Sequence, residues 1–174
     1  MAVQRLFFAL WPDQDFCQRL LEHAKPGLRE SNGRAVARDN LHITLAFLGN
    51  VDETEQQCLQ HMAEAIQLPA FDLNLDRLAY WPRPRVVWAG TNDTPEVFIQ
   101  LAKSLQRGVA ACGLQIDTRP PVAHLTLKRK VTKAGRGLAF APLAWHVERF
   151  YLVASRTLPE GPVYTRLQSW SLRG

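Results

Sequence analysis

Apolar residues follow two different periods along the chain, and the change from one to the other predicts strands interrupted by three helices. Short apolar runs and every-other-residue alternation are typical of strands, whereas spacings of three and four residues are typical of helices. Strands are predicted over residues 3–10, 41–48, 71–75, 85–90, 114–118, 122–128, 146–156 and 163–172. Most neighbouring strands are close enough along the chain to form hairpins, so the pattern favours an α+β fold with antiparallel sheet.

Capping residues mark the ends of three amphipathic segments, which are predicted to be helices. The predicted helices cover residues 13–28, 52–66 and 94–112. In the second helix Asp52 and Glu55 have the spacing of a capping box. In the third, Thr94 and Pro95 suit the N-cap and N1 positions, and Gly113 suits the residue after the helix.

The whole sequence, residues 1–174, is predicted to form one domain, because no linker or low-complexity tract divides it. Its 47% apolar and 21% charged residues are typical of a globular protein and exclude a disordered polymer. The same four-residue motif follows a helix twice, at residues 42–45 and 124–127. We therefore expect two similar lobes that share a core.

Hydropathy predicts a soluble protein. The longest apolar run, Leu6–Trp11, is far shorter than the roughly 20 residues of a membrane-spanning helix. The first residues lack the apolar core and cleavage site of a signal peptide. A cytoplasmic location is the expectation.

The three cysteines, Cys17, Cys58 and Cys112, are odd in number and widely spaced. Such a pattern is typical neither of a disulfide framework nor of a zinc cluster. All three fall on predicted helices beside apolar residues, where a cysteine usually acts as a small hydrophobe. They are predicted to be buried free thiols.

Positive charge is concentrated in one part of the chain. Lysine and arginine outnumber aspartate and glutamate by 21 to 16, which gives a net charge of +5. Residues 119–136 contain six basic and no acidic residues. This stretch is either a solvated loop or a rim that faces phosphates, and composition alone favours neither.

The repeated motif is His-x-Thr-Leu, with His42 and Thr44 in one copy and His124 and Thr126 in the other. Alternate residues of a strand share a face, so each strand presents an imidazole and a hydroxyl together. Two imidazoles across a cleft suit in-line displacement at phosphorus, with one as base and the other as acid. The hydroxyls can donate hydrogen bonds to the phosphate oxygens.

Three other interpretations of the motif remain open. A single His-x-Thr pair is usually a hydrogen-bonded structural pair, although two copies make this less plausible. A metal site needs a third ligand, and only Asp39 and Asp117 come near the motifs in sequence. A non-catalytic module that binds RNA ends is the alternative from another functional class.

The motifs resemble those of the 2H phosphoesterase superfamily, and within it the bacterial RNA 2′,3′-cyclic phosphodiesterases, also called 2′-5′ RNA ligase-like proteins. The similarity covers nearly the whole chain. Its motifs lie at residues 5–10, 40–49, 85–88, 124–129 and 155–164. The resemblance implies a bilobal fold with a pseudo-two-fold axis and one motif in each lobe, on either side of a cleft between antiparallel sheets.

The resemblance also implies an activity and a role for each site residue. The expected reaction is metal-independent hydrolysis of a 2′,3′-cyclic phosphate at an RNA end to a 2′-phosphate, with 2′-5′ ligation as the ATP-independent reverse. His42 would donate a proton to the leaving oxygen, and His124 would accept one from water. Thr44 and Thr126 would bind the phosphate, and Arg129 would neutralise its charge. No cofactor is implied, and we expect a monomer.

Strand alternation and the family pattern select different basic residues after the second motif. Strand alternation from His124 places Lys128 and Lys130 on its face, whereas the family pattern selects Arg129. A bulge or a strand end would reconcile the two. The chain also has Ala123 where relatives often carry proline before the second histidine.

Other aromatic and histidine residues have weaker claims to a role. Phe8, Phe47 and Trp81 could stack on a base, although aromatic residues on strands more often belong to the core. The three remaining histidines lack a threonine partner and are predicted to be structural or surface residues. They are His23, His61 and His146.

Overall fold

The predicted alternation of strands and helices is present in the computed structural model, which describes residues 2–173. The helices are α1 (Gln14–Leu28), α2 (Glu53–Glu64) and α3 (Glu96–Ala111). The strands are β1 (Gln4–Leu10), β2 (Arg34–Ala35), β3 (Ile43–Val51), β4 (Phe71–Leu75), β5 (Arg77–Trp81), β6 (Val86–Gly90), β7 (His124–Arg129), β8 (Leu143–Val147), β9 (Arg149–Leu158) and β10 (Gly161–Ser171).

One large antiparallel sheet runs through the molecule, in the order β10-β9-β1-β3-β7-β6-β5, with the short β2 beside β7. Strands β4 and β8 form a separate antiparallel pair. This arrangement confirms the predicted α+β class with antiparallel pairing.

The large sheet consists of two halves that are joined by a narrow seam. Strands β1 and β3 pair over seven positions, whereas β3 and β7 pair only at Ile43 and Leu125. These two seam residues are fully buried in the main core, together with Phe16 and Leu20 of α1 and Phe98 of α3. The helices therefore cover one face of the sheet at the seam.

Two of the three predicted helix starts are confirmed. The Asp13 side chain accepts a hydrogen bond from the backbone N–H of Phe16, and Asp52 and Glu55 form the predicted capping box. The third start is wrong by one residue, because Pro95 is the N-cap of α3 and no side chain caps this helix. None of the helices in the described part of the chain is long and apolar enough to cross a membrane.

The strand predicted at residues 114–118 is absent, and residues 114–123 form an irregular segment instead. The Asp117 carboxylate accepts hydrogen bonds from both the backbone and the guanidinium of Arg119. Such a local turn competes with strand pairing. Pro120 and Pro121 follow, and neither has an N–H to donate to a neighbouring strand.

Several other strand boundaries also differ from the prediction, and the short strand β2 and strand β5 were not predicted. Strand β7 begins at His124 rather than at residue 122, directly after the irregular segment. The strand predicted over residues 146–156 is divided at Glu148 into β8 and β9, which belong to different sheets. Continuous apolar periodicity cannot reveal such a change of sheet.

The prediction of three free thiols is wrong for two of them. Cys58 of α2 and Cys112, at the end of α3, form a disulfide with their Cα atoms 5.9 Å apart. The two helices pack closely, with Met62 filling the space where a Cβ of Gly108 would lie. This tertiary contact brings the two cysteines together. Their separation of 54 residues in the sequence gives no indication that they pair. Cys17 is buried and free as predicted, and burial raises the pKa of its thiol to about 11.

Candidate active site

The seam of the sheet brings the two His-x-Thr-Leu motifs together. Ile43 of β3 and Leu125 of β7 are partners in an antiparallel pair, and both are completely buried. Side chains next to a buried strand residue point to the opposite face of the sheet. The histidine and threonine on either side of each buried residue therefore lie on the face away from the helices, as the motif spacing predicts.

The antiparallel pairing gives each histidine the threonine of the other motif as its neighbour. In the same register, the residues on either side of the Ile43–Leu125 pair lie opposite each other. His42 is therefore opposite Thr126, and Thr44 is opposite His124. A local two-fold axis through the seam relates the two motifs. The result is two imidazole–hydroxyl pairs at equivalent positions of the strand pairing.

Both motif strands carry a bulge at the same motif position. The pairing of β3 with β1 skips Leu45, and the pairing of β7 with β6 skips Leu127. A bulge places one extra residue in a strand and interrupts its alternation. Counting alternate residues from the histidine therefore predicts the correct face of the sheet only as far as the motif leucine. Beyond this leucine the rule no longer holds.

Each histidine ring is fixed by a carbonyl two residues before it. Nδ1 of His42 lies 2.7 Å from the Asn40 carbonyl oxygen, and Nδ1 of His124 lies 2.9 Å from that of Val122. A carbonyl only accepts, so Nδ1–H donates in both rings. Nε2 of each ring is left to accept or donate a proton.

Three aromatic side chains surround His42. Trp11 stacks on the imidazole with the ring centroids 4.8 Å apart and the planes within 5°. Phe7 and Tyr164 each lie 5.1 Å from it, Tyr164 edge-on. Trp11 and Phe7 were not predicted to lie at the site, because their positions match the pattern of core residues.

The surroundings of His124 are also aromatic. The rings of Trp81 and Trp88 lie 4.7 and 6.0 Å from the imidazole. Of the aromatic residues considered for base stacking, Phe8 is fully buried in the core, whereas Phe47 is 65% exposed. The sequence alone does not distinguish these two phenylalanines, because they lie on similar strands.

Both histidines have a pKa below the ordinary value of 6.5. Burial lowers the pKa of His42 to about 4, and the positive charges of Arg129 and His124 act in the same direction. Burial also lowers the pKa of His124. In both rings the hydrogen bond to the backbone carbonyl partly opposes the effect. Both imidazoles are therefore mainly neutral at pH 7 in the free protein.

The low pKa of His42 predicts a loss of stability in mild acid. The unfolded chain takes up a proton near pH 6.5, whereas the folded chain does so only near pH 4. This contribution to stability is present at pH 7 and is lost as the pH falls, by about 2 kcal/mol between pH 7 and pH 5. In urea unfolding of the His42→Asn variant, the free energy of unfolding should therefore fall by about 2 kcal/mol less between pH 7 and pH 5 than in the unsubstituted protein.

The same measurement on a His61→Asn variant serves as the control, because His61 is exposed on α2. In this control the free energy of unfolding should change between pH 7 and pH 5 by the same amount as in the unsubstituted protein. An unchanged pH difference in the His42→Asn variant would contradict the assignment of acid sensitivity to His42.

The structure distinguishes between the basic residues that follow the second motif. Beyond the bulge at Leu127, Nζ of Lys128 donates to the carbonyls of Leu28 and Ser31, near the end of α1. Arg129 has an Nη2 atom 3.5 Å from the Tyr164 hydroxyl, and its charge affects the pKa of His42. Lys130 follows the end of β7 with a positive φ of 56°. Arg129 is thus the basic residue of this group that faces His42.

The remaining histidines lie on the surface, as predicted. His23 contacts the carbonyl of Ala141, His61 is exposed on α2, and His146 pairs with Asp72 across the β4–β8 sheet. A metal site was an alternative interpretation of the motifs. Within residues 2–173, no three His, Cys, Asp or Glu side chains are grouped so that they could hold an ion.

A cavity of about 630 Å³ opens beside His124 and Thr44. The turn after β5, residues 82–84, and the irregular segment before β7 line two of its sides. His42, Thr126 and Arg129 do not line it. The cavity therefore extends from the site on the His124 side only.

Comparisons with known proteins show which family the sequence resembles. The sequence model of the 2′-5′ RNA ligase superfamily matches residues 12–157. A protein of Escherichia coli K12 named RNA 2′,3′-cyclic phosphodiesterase is 36% identical, over 97% of both chains. A protein of Thermus thermophilus with the same name is 35% identical, over 98% of this chain and 91% of the relative.

A solved structure shows the same fold. The crystal structure of E. coli LigT complexed with 3′-AMP superimposes with a TM-score of 0.88 at 35% identity, and covers 98% of this chain and 99% of LigT. The family model spans both motifs, and the relatives match over nearly their full lengths. The chain therefore belongs to the 2′-5′ RNA ligase superfamily, the family whose paired motifs it carries.

Proposed function

We propose that this protein is an RNA 2′,3′-cyclic phosphodiesterase, which opens the cyclic phosphate at an RNA end to a 2′-phosphate. The observation that carries the proposal is the pair of His-x-Thr motifs, joined at the seam so that two imidazoles and two hydroxyls share one face. The names of the relatives give independent support.

The two imidazoles perform the proton transfers. His124 accepts a proton from a water molecule through Nε2 while the water oxygen attacks phosphorus. The bond from phosphorus to O3′ breaks, and His42 donates its Nε2 proton to O3′. Attack and departure occur on opposite sides of phosphorus, as in-line displacement requires.

The phosphate is held by neutral and charged donors. The hydroxyls of Thr44 and Thr126 donate to its non-bridging oxygens, on which charge increases in the transition state. Arg129 neutralises part of that charge from the His42 side. These groups supply the charge stabilisation, and the two imidazoles supply the proton transfers. The proposed reaction uses no cofactor.

The donor role of His42 requires the substrate to supply a compensating charge. In the free protein, the charges of Arg129 and His124 disfavour protonation of His42. A phosphodiester anion bound beside Arg129 and the neutral His124 reverses the local balance and raises the pKa of the His42 ring. The proton on His42 is therefore acquired together with the substrate.

This requirement predicts a kcat/KM that is highest below pH 6.5 and decreases as the pH rises. The value of kcat/KM reports the free enzyme, in which the protonated fraction of His42 decreases about tenfold per pH unit above its pKa. Rates with 2′,3′-cyclic AMP between pH 5 and pH 8 test this. A kcat/KM that increases steadily up to pH 8 would contradict it.

The reaction itself is tested by incubating the protein with 2′,3′-cyclic AMP and with a short RNA that ends in a 2′,3′-cyclic phosphate. Chromatography against 2′-AMP and 3′-AMP standards identifies the product. We expect the 2′-phosphate, at the same rate with and without EDTA. Binding without ring opening would instead support a non-catalytic module, and loss of activity with EDTA would support a metal site.

A further inference from the structure

In-line displacement determines on which side of the site the RNA strand lies. The O3′ atom leaves phosphorus opposite the entering water and stays on the ribose, while O2′ remains bonded to phosphorus. With water at His124 and O3′ at His42, the ribose and the rest of the RNA lie beyond His42. From β3 in the direction away from β7, the sheet continues through β1, β9 and β10.

Strands β1, β9 and β10 give this side of the molecule a positive charge. They contain no aspartate or glutamate, and their arginines are Arg5, Arg149, Arg156 and Arg166. Arg166 pairs with Val153, which packs with Phe7 in a small buried cluster. Because Phe7 contacts His42 and paired strand residues share a face, Arg166 lies on the same face of the sheet as His42.

The Arg166 guanidinium lies over two aromatic rings, 5.8 Å from the centroids of Trp11 and of Tyr151. The Trp11 ring in turn stacks on His42, so one side chain separates the guanidinium from the imidazole that faces the leaving oxygen. No carboxylate of residues 2–173 forms an ion pair with Arg166, and the residue is exposed. The aromatic rings thus position a cation whose N–H donors are accessible to an anion.

We propose that Arg166 binds the phosphate on the 5′ side of the terminal nucleotide, the phosphodiester that links the cyclic end to the rest of the RNA. The inference rests on the proposed function, in particular on His42 as the group that faces O3′. A guanidinium suits this role, because it can donate two parallel hydrogen bonds to one phosphate. The contact would distinguish an RNA end from 2′,3′-cyclic AMP, which has no phosphate on its 5′ carbon.

The expected effect is on KM. The 5′-phosphate takes no part in the bond changes, so its contact with Arg166 is equally strong in the substrate complex and in the transition state. Such uniform binding lowers KM and leaves kcat unchanged. We expect a KM lower by about 3- to 10-fold, between the effects of an exposed ion pair and of a hydrogen bond to a charged group.

The test compares two small substrates that differ only in this phosphate. They are 2′,3′-cyclic AMP and adenosine 5′-phosphate 2′,3′-cyclic phosphate, and kcat and KM are measured for both. In the unsubstituted protein we expect a lower KM for the 5′-phosphorylated substrate and equal kcat values. In Arg166→Ala the two KM values should become nearly equal. Hydrolysis of 2′,3′-cyclic AMP should stay within about threefold, because Arg166 is exposed.

Two variants and a third substrate serve as controls. Arg156 follows Ser155, which pairs with Tyr164 of the site, so the Arg156 side chain lies on the opposite face of the sheet. Arg156→Ala removes the same charge and should keep the difference in KM. Arg166→Lys keeps a point charge without the planar donor and should keep part of the difference. The dinucleotide ApA with a 2′,3′-cyclic phosphate at its 3′ end contains the phosphodiester of RNA and should have the lower KM.

Each other outcome overturns the phosphate contact. Equal KM values in the unsubstituted protein would mean that no group binds the 5′-phosphate. A difference that persists in Arg166→Ala would place this phosphate elsewhere, and one that Arg156→Ala also removes would assign it to the overall charge. Equal losses with both substrates in Arg166→Ala would leave Arg166 only a role in positioning Trp11 or at the cyclic phosphate. A KM for the dinucleotide as high as that of 2′,3′-cyclic AMP would exclude an RNA strand from this position.

Hydrolysis of 2′,3′-cyclic AMP by the unsubstituted protein separates the two proposals. If this reaction occurs, each of those outcomes refutes the role of Arg166 and leaves the proposed function intact. A protein that hydrolyses none of the three substrates would refute both.

Discussion

Replacing His42 or His124 by alanine is expected to lower the turnover of 2′,3′-cyclic AMP by about 10²- to 10⁴-fold, the usual contribution of a positioned acid or base. Each imidazole carries a separate proton transfer, so neither can substitute for the other. Their Nδ1 atoms are engaged with backbone carbonyls, which leaves one reactive nitrogen per ring. Steady-state rates of both variants, with circular dichroism to establish folding, measure the effect.

The double variant and a surface control complete this experiment. Residues that act as a unit give non-additive losses, so the double variant should be little slower than the slower single variant. His146→Ala removes an exposed histidine of the β4–β8 sheet and should keep full activity. Normal turnover in both single variants would rule out two-histidine catalysis.

Arg129→Ala is expected to lower kcat about 10²- to 10³-fold, as removal of one donor to a developing anion does in other enzymes. The guanidinium lies beside Tyr164 and close enough to His42 to affect its pKa. Because the charge increases in the transition state, KM should change less than kcat. Arg129→Lys should recover part of the loss, since a point charge replaces a two-pronged donor.

Lys128→Ala is the matched control, because it removes the same charge one residue earlier. Its ammonium group binds the carbonyls near the end of α1 instead of facing the site. We expect it to lower the free energy of unfolding and to leave kcat within about threefold. If Lys128→Ala were as damaging to kcat as Arg129→Ala, a specific role for Arg129 would be untenable.

The sequence predicted the fold class, the family and the common face of the two motifs, because strand periodicity and a repeated motif are local signals. It did not predict the face of Arg129, because the bulge at Leu127 arises from pairing with β6. It missed Trp11 and Phe7 beside His42 for a related reason. An apolar residue on a strand gives the same pattern whether it packs in the core or against an imidazole.

The errors elsewhere also come from tertiary contacts. The disulfide between Cys58 and Cys112 depends on the packing of α2 on α3, which no local pattern encodes. The irregular segment at residues 114–123 depends on a turn at Asp117 and on two prolines, and the apolar spacing suggested a strand there. That segment lines the cavity, so its shape was the part of the site least accessible from sequence.

The local two-fold axis at the seam has a kinetic consequence. After one round of the proposed hydrolysis, His124 is protonated and His42 is neutral. This is the protonation state that the reverse reaction requires. Because each ring keeps its Nδ1 proton on a carbonyl, only the Nε2 protons can be reset, by exchange with solvent. Every cycle then includes two proton exchanges with solvent: His124 loses its proton to restore the free enzyme, and His42 takes one up with the next substrate. Buffers that carry protons would accelerate these exchanges, and product would trap the charged His124 form.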